Sequence, residues 1–309
     1  MENLLKSKLR FSVFCQSDVK FEAMLEKELE TAIHLAQKAS ETILDIYEKG
    51  FEIETKFVNE YYSEPVTIAD KTSSRIIVEG LAAVFPDDAI LSEEEPDDTE
   101  RRLRKSRVWI IDPLDGTKGF TEKQGDFAVQ IGLCESGEPI LGVVLQPIGS
   151  NLYYAVKNKG TFLKKGDLEP AKLYVSDKNK FEEMTLAVSR SHRSKNMNLL
   201  FEHFGFQDEF RHGSVGLKVG LLAQKAADLY IHLSPHTKFW DTAAPQIILE
   251  EAGGKLTDIF GEKIQYGLKD VRNHNGIFSS NGISHEIAVE HLRPLLVDFG
   301  RHKVLKARH

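Results

Sequence analysis

Between Trp109 and Phe120 the chain reads WIIDPLDGTKGF, and no other stretch constrains its fold as tightly. The apolar run Val108–Ile111 has the length and branching of a buried strand, and it ends in carboxylates. Two of them, Asp112 and Asp115, are three residues apart. Pro113 has no N–H to give to a ladder, so the strand is expected to stop there and the chain to turn. Both acids then project from one turn at the strand's exit. Gly116 lets backbone come close to a ligand, and Thr117 adds a hydroxyl. Hard oxygen ligands on a tight turn suit Mg²⁺. The Gly116 and Thr117 amides can hold a phosphate oxygen if they open a helix or a nest. A bare D-x-x-D is also ordinary turn and cap chemistry, so the pair does not decide the matter alone.

Hydrophobic periodicity sets the rest of the frame. Residues 22–49 read as one amphipathic helix, with Leu25, Leu29, Ala32, Ile33, Ala36, Ile43 and Ile46 on one face and Gly50 as its stop. The period then drops to two from Phe51 to Phe57, a half-exposed strand. A second helix is expected from about Asp70 to Val84. Short strands follow at Ala89–Ser92 and Val108–Ile111, then two hairpins, Phe127–Cys134 with Ile140–Gln146 and Leu152–Lys157 with Thr161–Lys164. After the polar stretch Lys164–Lys172, strands and helices alternate. Strands are expected at Thr185–Ser189 and Leu229–Leu233, and helices at about 194–203, 214–227, 240–252 and 284–297. This order predicts an α+β half, residues 1–166, joined to an α/β half, residues 167–309.

Composition excludes several functions. The 309 residues hold 47 acids against 40 Lys and Arg, a net charge of −7, which argues against a nucleic-acid binder. Only two cysteines, Cys15 and Cys134, argue against a disulfide framework and suit a reducing compartment. No run approaches the roughly 20 apolar residues of a membrane helix. The N-terminus lacks an apolar core followed by a cleavage site. A cytoplasmic protein without a membrane partner is the expectation. The basic run Arg101–Arg107 after the acidic run Glu93–Glu100 reads as a solvated, self-paired loop.

Other candidate groups each carry a bland alternative. Glu93 adjoins a strand end and can point inward as a ligand, whereas Glu94, Glu95, Asp97 and Asp98 are expected to be solvated. Thr67-x-x-Asp70 has capping-box spacing at a helix start, which explains Asp70 unless it orients a water. Asp241 opens the last long helix of FWDTAAPQIILEEAGG, where the helix dipole alone favours an acid. Arg190 and His192, in Ser-Arg-Ser-His-Arg, are phosphate-contacting types or surface groups. Ser214 and Lys218, in GSVGLK, can hold an anion at a helix start, or Lys218 is a plain surface lysine. No P-loop, zinc-type cysteine pair or G-x-S-x-G elbow is present.

Taken together, Glu93 after a strand, Asp112-Pro-Leu-Asp-Gly-Thr117 and Trp240-Asp241 resemble the Mg²⁺-dependent, lithium-sensitive inositol monophosphatase superfamily. Lys-Gly-Phe after Thr117, PVTIAD, SRSH and SPHTKFWDTAAPQIILEEAGGKLTDIFG resemble its 3′(2′),5′-bisphosphate nucleotidase branch. The likeness runs from the first helix to about Asn281. It implies a layered α-β-α-β-α sandwich with the site between the halves. It implies Glu93, Asp112, the Leu114 carbonyl, Asp115 and Asp241 as ligands of two or three Mg²⁺ ions. Asp70 and Thr117 would activate water, and Gly116, Thr117, His192, Ser214 and Lys218 would contact substrate. The expected reaction removes the 3′-phosphate of 3′-phosphoadenosine 5′-phosphate, and of its 5′-phosphosulfate relative, with inhibition by Li⁺. The alternatives are an inositol monophosphatase or polyphosphate 1-phosphatase and a non-catalytic nucleotide sensor. A monomer or weak homo-oligomer is expected.

Overall fold

The computed structural model describes residues 2–59, 62–190 and 194–305, with side chains described outside residues 2–24, 57–59 and 62–64. Its elements, in chain order, are α1 (Glu2–Lys49), β1 (Ile53–Asn59), β2 (Tyr62–Thr67), α2 (Ile68–Val84), β3 (Ala89–Ser92), α3 (Thr99–Arg104), β4 (Arg107–Asp115) and α4 (Thr117–Thr121). Then come β5 (Ala128–Glu135), β6 (Glu138–Gln146), β7 (Asn151–Val156), β8 (Gly160–Lys165), β9 (Ala171–Leu173), β10 (Thr185–Ser189), α5 (Lys195–Phe204) and β11 (Asp208–His212). The last are α6 (Val215–Ala223), β12 (Leu229–His232), α7 (Phe239–Glu251), β13 (Lys255–Thr257), β14 (Ile277–Ser280) and α8 (His285–Asp298).

These build five layers. β3 to β9 form a seven-stranded sheet in sequence order, with β3 and β4 parallel and the rest antiparallel. β4 shows why the sheet is covered on both faces. Its Trp109 and Ile111 pack with α1 and α2, while Val108 and Ile110 pack toward α6 and α7. A second sheet, in the order β11-β10-β12-β14-β13, lies beyond α6 and α7, and α5 and α8 cover its far side. The layered α-β-α-β-α arrangement expected from the sequence is thus present.

Close packing of α7 brings the second acid-bearing segment to the first. A Cβ on Gly132 or Gly142 would stand 2.9 Å from the Ala244 nitrogen or 2.5 Å from the Ala244 carbonyl oxygen. Glycine on β5 and β6, facing alanines on α7, therefore allows the helix to lie directly on the sheet. The start of α7, with Asp241, is carried to the end of β4.

Several sequence expectations need correction. The first helix begins at Glu2 rather than residue 22, and α6 ends at Ala223 rather than 227. β2, β11, β13 and β14 were not expected; β2 contains Pro65 and polar residues, and β13 and β14 are three and four residues long. β4 does not stop at Pro113. Asp112 pairs with Gln130 and Asp115 with Ala128, so a bulge carries Pro113 and Leu114 outside the ladder and no N–H is missed. The 93–107 segment is not a simple solvated loop. Arg102 is buried, binds both oxygens of Asp97 at 2.8 Å, and donates to the carbonyls of Leu268 and Lys269. Glu94 pairs with Lys56, Glu95 accepts from Ser74, and Asp98 caps α3.

Candidate active site

The site gathers the starts of four helices, α2, α4, α6 and α7, and the ends of two strands, β3 and β4. At the first, Thr67 caps α2: its Oγ1 accepts from Ala69 N at 3.1 Å. Asp70 Oδ2 accepts in return from Thr67 N and Thr67 Oγ1, both at 2.7 Å. Asp70 Oδ1 accepts from Thr117 Oγ1 at 2.9 Å. The cap and the functional reading of Asp70 thus coexist, one on each carboxylate oxygen. Burial pushes its carboxyl up, to about 6, against the pull of the three hydroxyl and amide donors.

The second component is the bulged end of β4. Asp112, 1% exposed, accepts from Leu114 N at 3.0 Å. Its carboxyl is held well above the usual carboxylate range by burial first, then by Glu93, Asp115 and Asp241. Asp115 Oδ2 takes Gln130 Nε2 at 2.6 Å, Gly216 N at 2.9 Å and the Ser214 hydroxyl. Gly116 follows at φ 93°, where a Cβ would stand 2.6 Å from the Asp126 carbonyl oxygen, so only glycine can turn the chain into α4 there. Thr117 Oγ1 lies 3.1 Å from the Leu114 carbonyl.

The third component is the start of α7. Asp241 Oδ2 accepts from Lys238 N at 2.6 Å, a capping interaction that aims the carboxylate back toward β4. Oxygens of Asp112, Asp115 and Asp241 lie within 4.8 Å of one another. Glu93 joins from the end of β3, where its N–H donates to the Ile111 carbonyl at 3.2 Å.

These residues fit a hard divalent cation. The donor set is carboxylate oxygen, and Asp112 is buried against three other acids. A cation among them would offset the charges that burial and proximity make costly.

The proposed substrate-contacting groups divide. Gly116 and Thr117 flank the acids. Ser214 Oγ is engaged between Asp115 and Leu217 N, so it orients a site acid. Lys218 is not a surface lysine: it is 1% exposed, donates to the carbonyls of Gly213 and His212, and lies 5.0 Å from the Tyr230 ring centroid. Burial lowers its pKa to about 8 despite Asp115, Asp126 and Asp241. Arg190 is tied to Asp126 at 2.5 Å. His192 lies outside the described residues. Sequence reasoning missed Gln130 and Lys238; the place of Lys238 three residues before Asp241, at a helix cap, was the available signal.

Comparison with known proteins gives the family. The model of the inositol monophosphatase family matches residues 24–296, and the chain belongs to that family. Within it, the chain is similar to curated proteins named 3′(2′),5′-bisphosphate nucleotidase CysQ. The Salmonella typhimurium protein is 35% identical over 238 residues, covering 77% of this chain and 93% of that one. The protein of Escherichia coli K12 is 34% identical over 240 residues, with the same coverage. Among solved structures, an IMPase of Thermotoga maritima superposes with a TM-score of 0.75 at 25% identity, over 89% of this chain and 100% of that one. CysQ of Bacteroides thetaiotaomicron superposes with a TM-score of 0.68 at 29% identity, over 82% and 97%. No helix among the described residues is long and apolar enough to cross a membrane.

Proposed function

We propose that this chain is a Mg²⁺-dependent 3′(2′),5′-bisphosphate nucleotidase that hydrolyses the 3′-phosphate of 3′-phosphoadenosine 5′-phosphate. Its 5′-phosphosulfate relative would be a second substrate. The observation that carries the hydrolytic reading is the 2.9 Å bond between Thr117 Oγ1 and Asp70 Oδ1, made beside the acid cluster. A protein that only bound nucleotide would have no use for that proton path. The choice of branch rests on the likeness to the CysQ nucleotidases.

Glu93, Asp112, the Leu114 carbonyl, Asp115 and Asp241 would hold two or three Mg²⁺ ions. When bound, such ions neutralise a phosphate dianion, acidify water and stabilise the leaving oxygen. Asp115 is kept in place by Gln130, Ser214 and Gly216, and Asp241 by the Lys238 amide. Thr117 would take a proton from the attacking water as its own proton passes to Asp70 Oδ1. The water oxygen bonds phosphorus as the bond to the 3′-oxygen breaks, and that oxygen takes a proton from bulk water, to which Asp70 then releases the one it accepted. The Gly116 and Thr117 backbone would hold the phosphate. The second half of the chain, 167–309, would supply the nucleotide pocket.

The test is phosphate release from 3′-phosphoadenosine 5′-phosphate and from inositol 1-phosphate at equal concentration, with Mg²⁺ and with EDTA. Mg²⁺-dependent preference for the nucleotide is expected. Preference for the inositol ester would move the chain to the inositol phosphatase branch, and release unaffected by EDTA would remove the metal.

A further inference from the structure

The acid cluster has a cation of its own. Lys238 Nζ lies 3.7 Å from Glu93 Oε1 and 5.0 Å from the Trp240 ring centroid, with only 13% of the side chain exposed. Two further lysines here are engaged elsewhere, Lys56 on the Glu93 carbonyl and the Glu94 carboxylate, and Lys218 on the carbonyls of His212 and Gly213. The root of Lys238 is fixed. Its N–H donates to Asp241 Oδ2, its carbonyl accepts from Asn273 Nδ2 at 2.9 Å, and a bridge pairs it with Arg272. The next amide, Phe239 N, donates to the Val271 carbonyl at 2.9 Å. Only the flexible stem is left to move the ammonium.

A monovalent cation on a fixed root beside an acid of a divalent-metal site has opposite effects in the two states of that site. Without metal, it relieves repulsion between Glu93 and the buried Asp112. With a metal held by Glu93, it would be a like charge beside one of that metal's ligands. We propose that Lys238 is the counter-ion of the empty metal centre, neutralising Glu93 until a divalent cation arrives and then yielding it. The ammonium thereby preserves the site at the expense of metal affinity, and the Trp240 face it already lies over is a partner it keeps when Glu93 is given up. The inference rests on the divalent-metal reading of the site.

The test uses the full chain stripped with EDTA, titrated calorimetrically with MgCl₂ alone, as wild type, Lys238→Met and Lys238→Arg. Melting is followed in EDTA and at saturating MgCl₂. In Lys238→Met the Mg²⁺ Kd is expected to fall several-fold while the Tm in EDTA drops. Lys238→Arg should stay near wild type in both. An unchanged or raised Kd in Lys238→Met overturns the inference. So does weaker binding of inorganic phosphate to the Mg²⁺-loaded variant with an unaltered Mg²⁺ Kd, which would make Lys238 a substrate contact. Wild type that binds no Mg²⁺ overturns the metal reading itself, and the counter-ion role with it.

Discussion

Asp70 and Asp112 are carboxylates of equal burial, 3% and 1% exposed, in one site, yet their surroundings are opposite. Asp70 is met by three donors from Thr67 and Thr117, which hold its carboxyl at about 6 despite burial. Asp112 receives the Leu114 amide and faces Glu93, Asp115 and Asp241, which add to the effect of burial. Hydrogen bonds make the first ionisable at neutral pH without help. The second is left to a cation. In the proposed mechanism the same chemical group would serve proton transfer in one place and metal ligation in the other, set apart by what surrounds it.

Breaking the metal side should have the largest effect. Asp112→Asn is expected to reduce turnover below detection and to abolish the rise in Tm produced by Mg²⁺. It should also raise the Tm in EDTA, because the cost of burying that acid among Glu93, Asp115 and Asp241, by repulsion or by taking up a proton, is gone. A metal-free Tm below that of wild type would show that the acids do not repel as described.

Asp70→Asn should lower kcat by roughly 10²–10⁴-fold, the usual worth of a positioned base. It should leave the Mg²⁺-induced rise in Tm intact, since Asp70 is not among the cluster oxygens. Loss of both would merge the two roles. The pH profile sharpens the distinction. Asp70 must be ionised to accept a proton, so activity should fall as pH drops through its pKa. Bound cations favour the carboxylate, so the acid limb of the loaded enzyme should lie below about 6.

The smallest effect should come from Thr67→Ala, which removes one donor to Asp70 and the cap of α2. It should cost about 1 kcal/mol of stability and shift the acid limb of kcat upward, because a donor that favoured the charged form is lost. An unmoved limb would detach the cap from the chemistry.

How much of this was legible depended on the range over which the cause acts. Local signals served well. Thr67-x-x-Asp70 gave the capping box, glycine and turn residues gave the two hairpins, and β3 was placed from Ala89 to Ser92. The apolar run before Asp112 gave the strand that delivers the acids. What failed to show depends on partners far along the chain. Pro113 reads as a stop, but the ladder to β5 resumes after a bulge. Arg102 reads as part of a solvated basic run until carbonyls 166 and 167 residues later take its guanidinium. Lys218 reads equally as an anion-holding or a surface lysine, because nothing in GSVGLK tells that the helix is enclosed on every side.

The hold on Asp115 has a consequence for the order in which the site comes into being. Its hydroxyl and amide donors, Ser214 and Gly216, follow it by 99 and 101 residues. At about 5–20 residues per second, a ribosome delivers them some 5–20 s after the acid itself. During that interval β4 can pair with β3 and β5, but the carboxylate at its end lacks both donors and Asp241 opposite. In the nascent N-terminal half the Asp115 carboxylate therefore has Gln130 alone to hold it, and its full set of donors can assemble only once translation has passed Gly216.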